Sequence, residues 1–160
     1  MLLIYDLAIR LLTFGIHVAA LFNPKARLWV NGRKDWRERY AAEPFIVHRS
    51  SFKVLWVHAA SLGEFEQGRP VMEAFRERFP DWKIVLTFFS PSGYEVRKDY
   101  PHADLVCYLP ADTRSNARDF LDLTKPDLVV FVKYEFWANY LFELNKRGIP
   151  TLLVSALFRP

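Results

Sequence analysis

A single cysteine, Cys107, stands in the 160 residues, so no disulfide within the chain is possible. It lies in the apolar run Leu105-Val106-Cys107-Tyr108-Leu109, where a thiol reads as a small core residue rather than a reactive group. One cysteine also fits a reducing compartment. No G-x-G-x-x-G and no Walker sequence follows any apolar run, so a dinucleotide or P-loop reading lacks its phosphate-binding turn. His17, His48, His58 and His102 are scattered, and none has metal-ligand spacing to another His, Cys or acid. No metal site and no cofactor are expected. The start of the chain has neither a basic n-region nor an Ala-x-Ala site, which argues against a cleaved signal peptide. Internal repeats and low-complexity tracts are missing as well.

What charge there is lies at one end. The net charge is +4, and residues 1–49 hold eight Lys or Arg against four acids, so the rest of the chain sums to zero. A body without net positive charge gives no reason to expect nucleic-acid binding. Half of the residues are apolar and a quarter are charged, the balance of a globular domain.

Residues 1–22 form an apolar helical segment of bilayer length, with Asp6, Arg10, Thr13 and His17 at i, i+4, i+7 and i+11. That spacing gathers them on one stripe, and Asp6 can pair with Arg10. The segment reads as a membrane anchor, either spanning the bilayer with its stripe packed against a partner or lying in the membrane plane. A helix packed onto its own soluble domain is the alternative. Residues 23–52 follow as a basic interfacial linker, in which Trp29, Trp36 and Tyr40 suit a membrane interface and the cations suit its cytoplasmic side. An ordinary solvated linker remains the alternative.

From residue 53 short apolar runs alternate with helical segments. Strands are predicted over 53–59, 83–89, 105–109, 127–132 and 151–155. Helices are predicted over 66–79, 92–100, 113–123 and 137–147, the last ended by Gly148. Strands apolar on both faces and separated by helices imply an α/β fold, with a Rossmann-like parallel sheet carrying helices on both faces over residues 53–160. Such sheets bind ligands outside the carboxyl ends of their strands. That rule singles out Glu64 after the first strand as a candidate base. The same residue also fits a plain Ser61-Leu62-Gly63-Glu64 capping box. Ser90, Ser92 and Gly93 open a helix whose free N–H groups can hold a phosphate, or merely cap it. Lys133 and Glu135 can bind an anion and a sugar hydroxyl, or form a surface ion pair, and Arg159 is similar. His58 reads as a satisfied core histidine more readily than as a ligand contact.

Several of these stretches are distinctive. Trp56-Val57-His58-Ala59-Ala60-Ser61-Leu62-Gly63-Glu64-Phe65, Thr87-Phe88-Phe89-Ser90-Pro91-Ser92-Gly93-Tyr94 and Lys133-Tyr134-Glu135-Phe136-Trp137 resemble signatures of the 3-deoxy-D-manno-octulosonic acid (Kdo) transferases. Gly32-Arg33-Lys34 and Pro150-Thr151-Leu152-Leu153-Val154-Ser155-Ala156 match in order and place. Ala138 departs from the pattern, which has a proline there.

The resemblance implies the N-terminal half of a GT-B glycosyltransferase, with the C-terminal donor domain absent and this length of chain inactive alone. It implies inverting transfer of Kdo from CMP-Kdo to the 6′-hydroxyl of a lipid A precursor in lipopolysaccharide synthesis, without a metal. Glu64 is the implied general base. Ser61, Gly63, Ser90, Ser92, Gly93, Lys133, Glu135 and Arg159 are the implied acceptor-binding set. The implied place is the bacterial inner membrane, with the catalytic domain facing the cytoplasm. A non-catalytic, membrane-associated lipid-binding module is the rival reading, as is a transferase for another nucleotide sugar.

Overall fold

The computed structural model describes residues 2–47 and 52–156. Four helices come first: α1 (Leu2–Ala19), α2 (Pro24–Gly32), α3 (Trp36–Ala41) and α4 (Pro44–Val47). The body then alternates: β1 (Val54–Ala59), α5 (Leu62–Arg78), β2 (Lys83–Phe88), α6 (Pro91–Arg97), β3 (Leu105–Tyr108), α7 (Arg114–Thr124), β4 (Leu128–Val132), α8 (Ala138–Lys146) and β5 (Thr151–Val154). The strands form one sheet in the order β3-β2-β1-β4-β5, and every neighbouring pair is parallel. This is the Rossmann-like α/β arrangement expected from the alternation.

Strand periodicity divides the core in two. Val54 and Trp56 face one way, with Val85, Phe120, Phe131 and Tyr140, beneath α3, α7 and α8. Leu55 and Val57 face the other way, with Phe65, Met72, Ile84, Leu86 and Phe88, beneath α5 and α6. Trp56 is fully buried, and its ring meets Phe120, Phe131 and Tyr140 at centroid distances of 5.0, 5.3 and 5.5 Å.

Local chemistry sets the boundaries. The Thr113 hydroxyl accepts the Asn116 N–H at the start of α7. The end of α8 is a Schellman turn: Gly148 takes a φ of 65°, and Ile149 N–H reaches Leu144 O at 3.0 Å. Helix α5 starts four residues before the predicted 66 and carries Pro70 inside it.

Residues 23–47 of the stretch expected as a linker pack on the domain. Trp29, Trp36 and Tyr40 are buried rather than interfacial, and Trp36 and Tyr40 belong to the first core cluster. The reason is chemical. The Tyr40 hydroxyl donates to Tyr108 O at 2.8 Å, and Arg37 pairs with Asp119 of α7 at 2.7 Å.

Helix α1 turns Ile9 toward the body, with Tyr5, Asp6, Thr13 and Ile16 half-buried beside it, while Arg10 and His17 of the polar stripe stay exposed. Arg10 pairs with Asp6 at 3.0 Å, as the spacing predicts, and Ile9 is buried. The Tyr5 hydroxyl donates to Asp112 at 2.6 Å. Asp112 in turn accepts the Asn139 and Tyr140 N–H groups at 3.2 and 3.1 Å, capping α8. Burial raises the Asp112 carboxyl, against the pull of those three donors. On the opposite side Ile4, Leu7, Leu11, Phe14 and Val18 are exposed. Among the described residues no helix is long and apolar enough to cross a membrane. The spanning form of the expected anchor therefore finds no support. Helix α1 docks through Tyr5, the buried Ile9 and Asp6, whose carboxylate accepts the Arg114 N–H at 3.3 Å.

One carboxylate supplies a pH test of the fold. Asp104 precedes β3 and accepts from Lys83 Nζ at 2.8 Å, from the Ile84 N–H at 2.9 Å and from Arg76. Burial pushes its pKa up, but Lys83, Ile84 and Arg76 together hold it below the usual carboxylate value. A depressed folded-state pKa contributes stability above the unfolded-state value, and that stability is lost as pH falls through the folded one. Asp104→Asn is therefore expected to lower stability at neutral pH and to flatten the loss between pH ~4 and the acid limit, read by urea denaturation across that range.

Candidate active site

In this strand order β1 and β4 are neighbours whose following connections lead to opposite sides, which opens a crevice at their carboxyl ends. The start of α5 after β1 carries Glu64 and the loop after β4 carries Lys133, and the structure brings the two together. Lys133 Nζ lies 3.9 Å from Glu64 Oε1. The Glu64 side chain is 22 % exposed and that of Lys133 36 %, so both are open to a ligand.

Glu64 stands in the first turn of α5 behind Ser61, the N-cap residue. The capping box expected there does not form. Ser61 makes no side-chain cap bond, and its hydroxyl donates to Glu64 Oε2 instead. The carboxylate is thus held by a hydroxyl on one oxygen and an ammonium near the other, with lone pairs left for a substrate proton. Gly63 is exposed, and only the Ser61 hydroxyl lies near its α-carbon side.

Lys133 reaches this place from a left-handed backbone, φ 65°, which costs a side-chain-bearing residue of order 1–3 kcal/mol. Its N–H is fixed by Val154 O at 2.8 Å. Glu135 does not pair with Lys133. Its carboxylate accepts the Trp137 indole N–H at 2.8 Å and lies 3.5 Å from His58 Nε2. His58 is fully buried, with Nδ1 2.8 Å from the Thr87 hydroxyl and the Trp137 indole 3.1 Å from Nε2. Burial pushes the His58 pKa down, with Glu135 opposing, and agrees with a neutral ring. His58 is the satisfied core histidine the sequence suggested, and it backs the loop that carries Glu135.

The Ser90 loop joins the same edge, because Ser90 N–H donates to Ala60 O at 2.7 Å. Its own N–H groups are spoken for. Ser92 N–H reaches Ser90 Oγ at 3.3 Å and Gly93 N–H reaches Ser90 O at 3.2 Å, so the free amide cradle expected there is a cap. The two hydroxyls, 3.0 Å apart, remain exposed to a ligand. Gly93 is a packing glycine: a Cβ there would meet the Phe88 ring at 2.2 Å. Gly93→Ala is expected to cost about 1–3 kcal/mol, read as a lower melting temperature. Arg159 lies outside the described residues.

Sequence reasoning missed Arg33. Its Nε and Nη2 donate at 2.8 Å to Leu109 O and Phe89 O, and Nη1 donates to Trp29 O at 3.1 Å. The guanidinium lies 3.8 Å over the Trp29 ring and 4.8 Å from that of Tyr108. It ties the α2–α3 junction to the ends of β2 and β3. Burial pulls its pKa down to about 9, with the neighbouring tyrosines opposing, which leaves it cationic at neutral pH. The signal available was Trp29 at i−4, a spacing that stacks a cation on an indole.

Comparison with known proteins matches residues 34–160 to the family described as 3-deoxy-D-manno-octulosonic-acid transferase (kdotransferase). Among curated relatives, the 3-deoxy-D-manno-octulosonic acid transferase of Chlamydia trachomatis is 28% identical over 124 residues, covering 76% of this chain and 28% of that protein. The Aquifex aeolicus enzyme of the same name is 33% identical over 103 residues, covering 64% and 28%. A probable mitochondrial 3-deoxy-D-manno-octulosonic acid transferase of Arabidopsis thaliana is 30% identical over 156 residues, covering 92% and 33%. The chain spans about a third or less of the length of these relatives. With the family matched over most of the chain and its signature stretches meeting at one sheet edge, this chain belongs to the Kdo transferase family, where it corresponds to the N-terminal domain.

Proposed function

We propose that the chain is the acceptor-binding half of an inverting GT-B glycosyltransferase that moves Kdo from CMP-Kdo to the 6′-hydroxyl of a lipid A precursor. The observation that carries this reading is the Glu64–Lys133 pair at the switch point of the sheet. In the reaction the acceptor oxygen bonds to the anomeric carbon of Kdo while the bond to CMP breaks. Glu64 takes the proton of that hydroxyl as its oxygen attacks. Ser61 and Lys133 hold the carboxylate in place. Lys133 and the exposed hydroxyls of Ser90 and Ser92 suit a phosphorylated acceptor, and Glu135 suits a sugar hydroxyl. The donor CMP-Kdo would be held by a C-terminal domain, and no cofactor takes part.

The exposed apolar row of α1 supports a place at the inner membrane, with the helix in the membrane plane and the domain on the cytoplasmic side. The same row favours the second reading, a lipid-binding module without catalysis. One assay separates them. The chain, joined to the C-terminal half of a family member, is mixed with CMP-Kdo and a lipid A precursor, and CMP release and lipid mass are followed. Transfer of Kdo supports the first reading. Lipid binding with no CMP release supports the second.

A further inference from the structure

We propose that the cleft between α1 and the α2–α3 junction is a binding site for a phosphomonoester, held by Arg33, Lys34 and the Trp29 indole. The cleft holds about 270 Å³, between Thr13 and His17 of α1, Trp29, Arg33, Lys34 and Trp36 of the following helices and their junction, and the Pro110–Ala111 turn with Asn116. Arg33, Lys34 and His17 line it, and no carboxylate does.

Three donors in its wall have unmet capacity. The Trp29 side chain is 5 % exposed, and its indole N–H has no acceptor. Native structures seldom leave such a group unpaired, because a buried, unsatisfied donor costs about 1–3 kcal/mol. Arg33 offers five N–H groups and gives three to carbonyls, so two are left. Among the described residues its positive charge has no carboxylate partner, and neither has that of Lys34. The His17 ring adds polarity: its Nδ1 lies 2.8 Å from Thr13 O, so Nδ1 carries a proton and Nε2 is left unengaged.

The chemistry favours a phosphate over a carboxylate. A carboxylate is best met by one guanidinium edge presenting two parallel N–H groups. Here Nε and Nη2 already serve Leu109 and Phe89, so the Nε–Nη2 edge of Arg33 is occupied. A tetrahedral anion with several acceptor oxygens collects single donors from separate groups, and the cleft supplies separate groups: a guanidinium, an ammonium and an indole.

This site does not rest on the transfer reading, since its argument uses neither Glu64 nor Lys133. The phosphate can be free or can be carried on a lipid, because α1 lines the cleft on one side and exposes its apolar row on the other.

The test uses the chain itself. Its indole N–H resonances are followed by two-dimensional NMR while inorganic phosphate is titrated in at constant ionic strength, with Trp29 assigned by its disappearance in Trp29→Phe. In parallel, the chain is floated with phosphatidylcholine vesicles containing either phosphatidic acid, a phosphomonoester, or phosphatidylglycerol, a diester. The expected result is a saturable shift of the Trp29 resonance, with affinity at least tenfold weaker in Lys34→Glu. Lys34 is exposed, and far-ultraviolet circular dichroism checks that its replacement leaves the fold intact. A preference for phosphatidic acid that Lys34→Glu abolishes, with no response to inorganic phosphate, also supports the site and assigns it to a lipid-borne phosphate. No phosphate response together with equal binding to both vesicle types overturns the proposal. So does a phosphate response, or a phosphatidic acid preference, that Lys34→Glu leaves unchanged.

Discussion

On the proposed reading, Glu64→Gln in the chain joined to the C-terminal half of a family member is expected to lower Kdo transfer by about 10²–10⁴-fold, the usual contribution of a general base. Glutamine keeps the length of the side chain and can still accept from Ser61, but it cannot take a proton at neutral pH. The fold has no reason to respond. Glu64 is partly exposed, and its two contacts are to Ser61 and Lys133, the latter at 3.9 Å. An unchanged melting temperature with a lost turnover rate is thus the signature of a base. Activity within tenfold of the parent would end the assignment. Equal losses of stability and activity would make Glu64 a helix-terminal residue and nothing more.

The second large effect is on folding. Arg33→Met keeps much of the apolar stem and removes the guanidinium. Three carbonyls, those of Trp29, Phe89 and Leu109, lose their donor in a part-buried place, and the stack on Trp29 goes with it. Hydrogen bonds from a charged group contribute about 1.5–3 kcal/mol each, part of which water recovers. A net loss of about 3–4 kcal/mol is expected, equivalent to a fall in melting temperature on the order of 10 °C for a chain of this size. Arg33→Lys should recover little, because an ammonium cannot span three carbonyls in a plane or lie flat on an indole. A change under about 1 kcal/mol would mean that water already serves those carbonyls.

The sheet was legible in the sequence because its strands are apolar on both faces and short. β2 starts at the predicted Lys83 and ends one residue early, and the other four strands lie within one residue of their predicted bounds. Helix α5 was harder. Gly63, Gly68 and Pro70 lower the helical signal of its first half, yet Phe65 and Met72 bury against the sheet and carry the helix through. The meeting of Glu64 with Lys133 was legible in outline, since both follow strands of a parallel sheet. Their adjacency needed the strand order, which no local pattern encodes.

Residues 29–40 misled for a different reason. Aromatics interleaved with cations look alike whether the rings rest on lipid headgroups or on a neighbouring helix. Only the tertiary partners of Trp36, Tyr40 and Arg33 decide it, and these lie about 56 to 84 positions further along the chain.

The place of β1 in the sheet bears on how the chain is made. β1 is the middle strand, and its two neighbours are β2, which starts at Lys83, and β4, which starts at Leu128. During synthesis β1, β2 and β3 can pair as soon as they leave the ribosome. The other edge of β1 then waits for the residues 109 to 132 to be added. At about 5–20 residues per second that interval lasts on the order of a second or more. Through it an apolar strand edge stands unpaired, open to pairing with another chain. A nascent chain stalled before Leu128 should therefore bind a holdase chaperone more strongly than one stalled well after Val132.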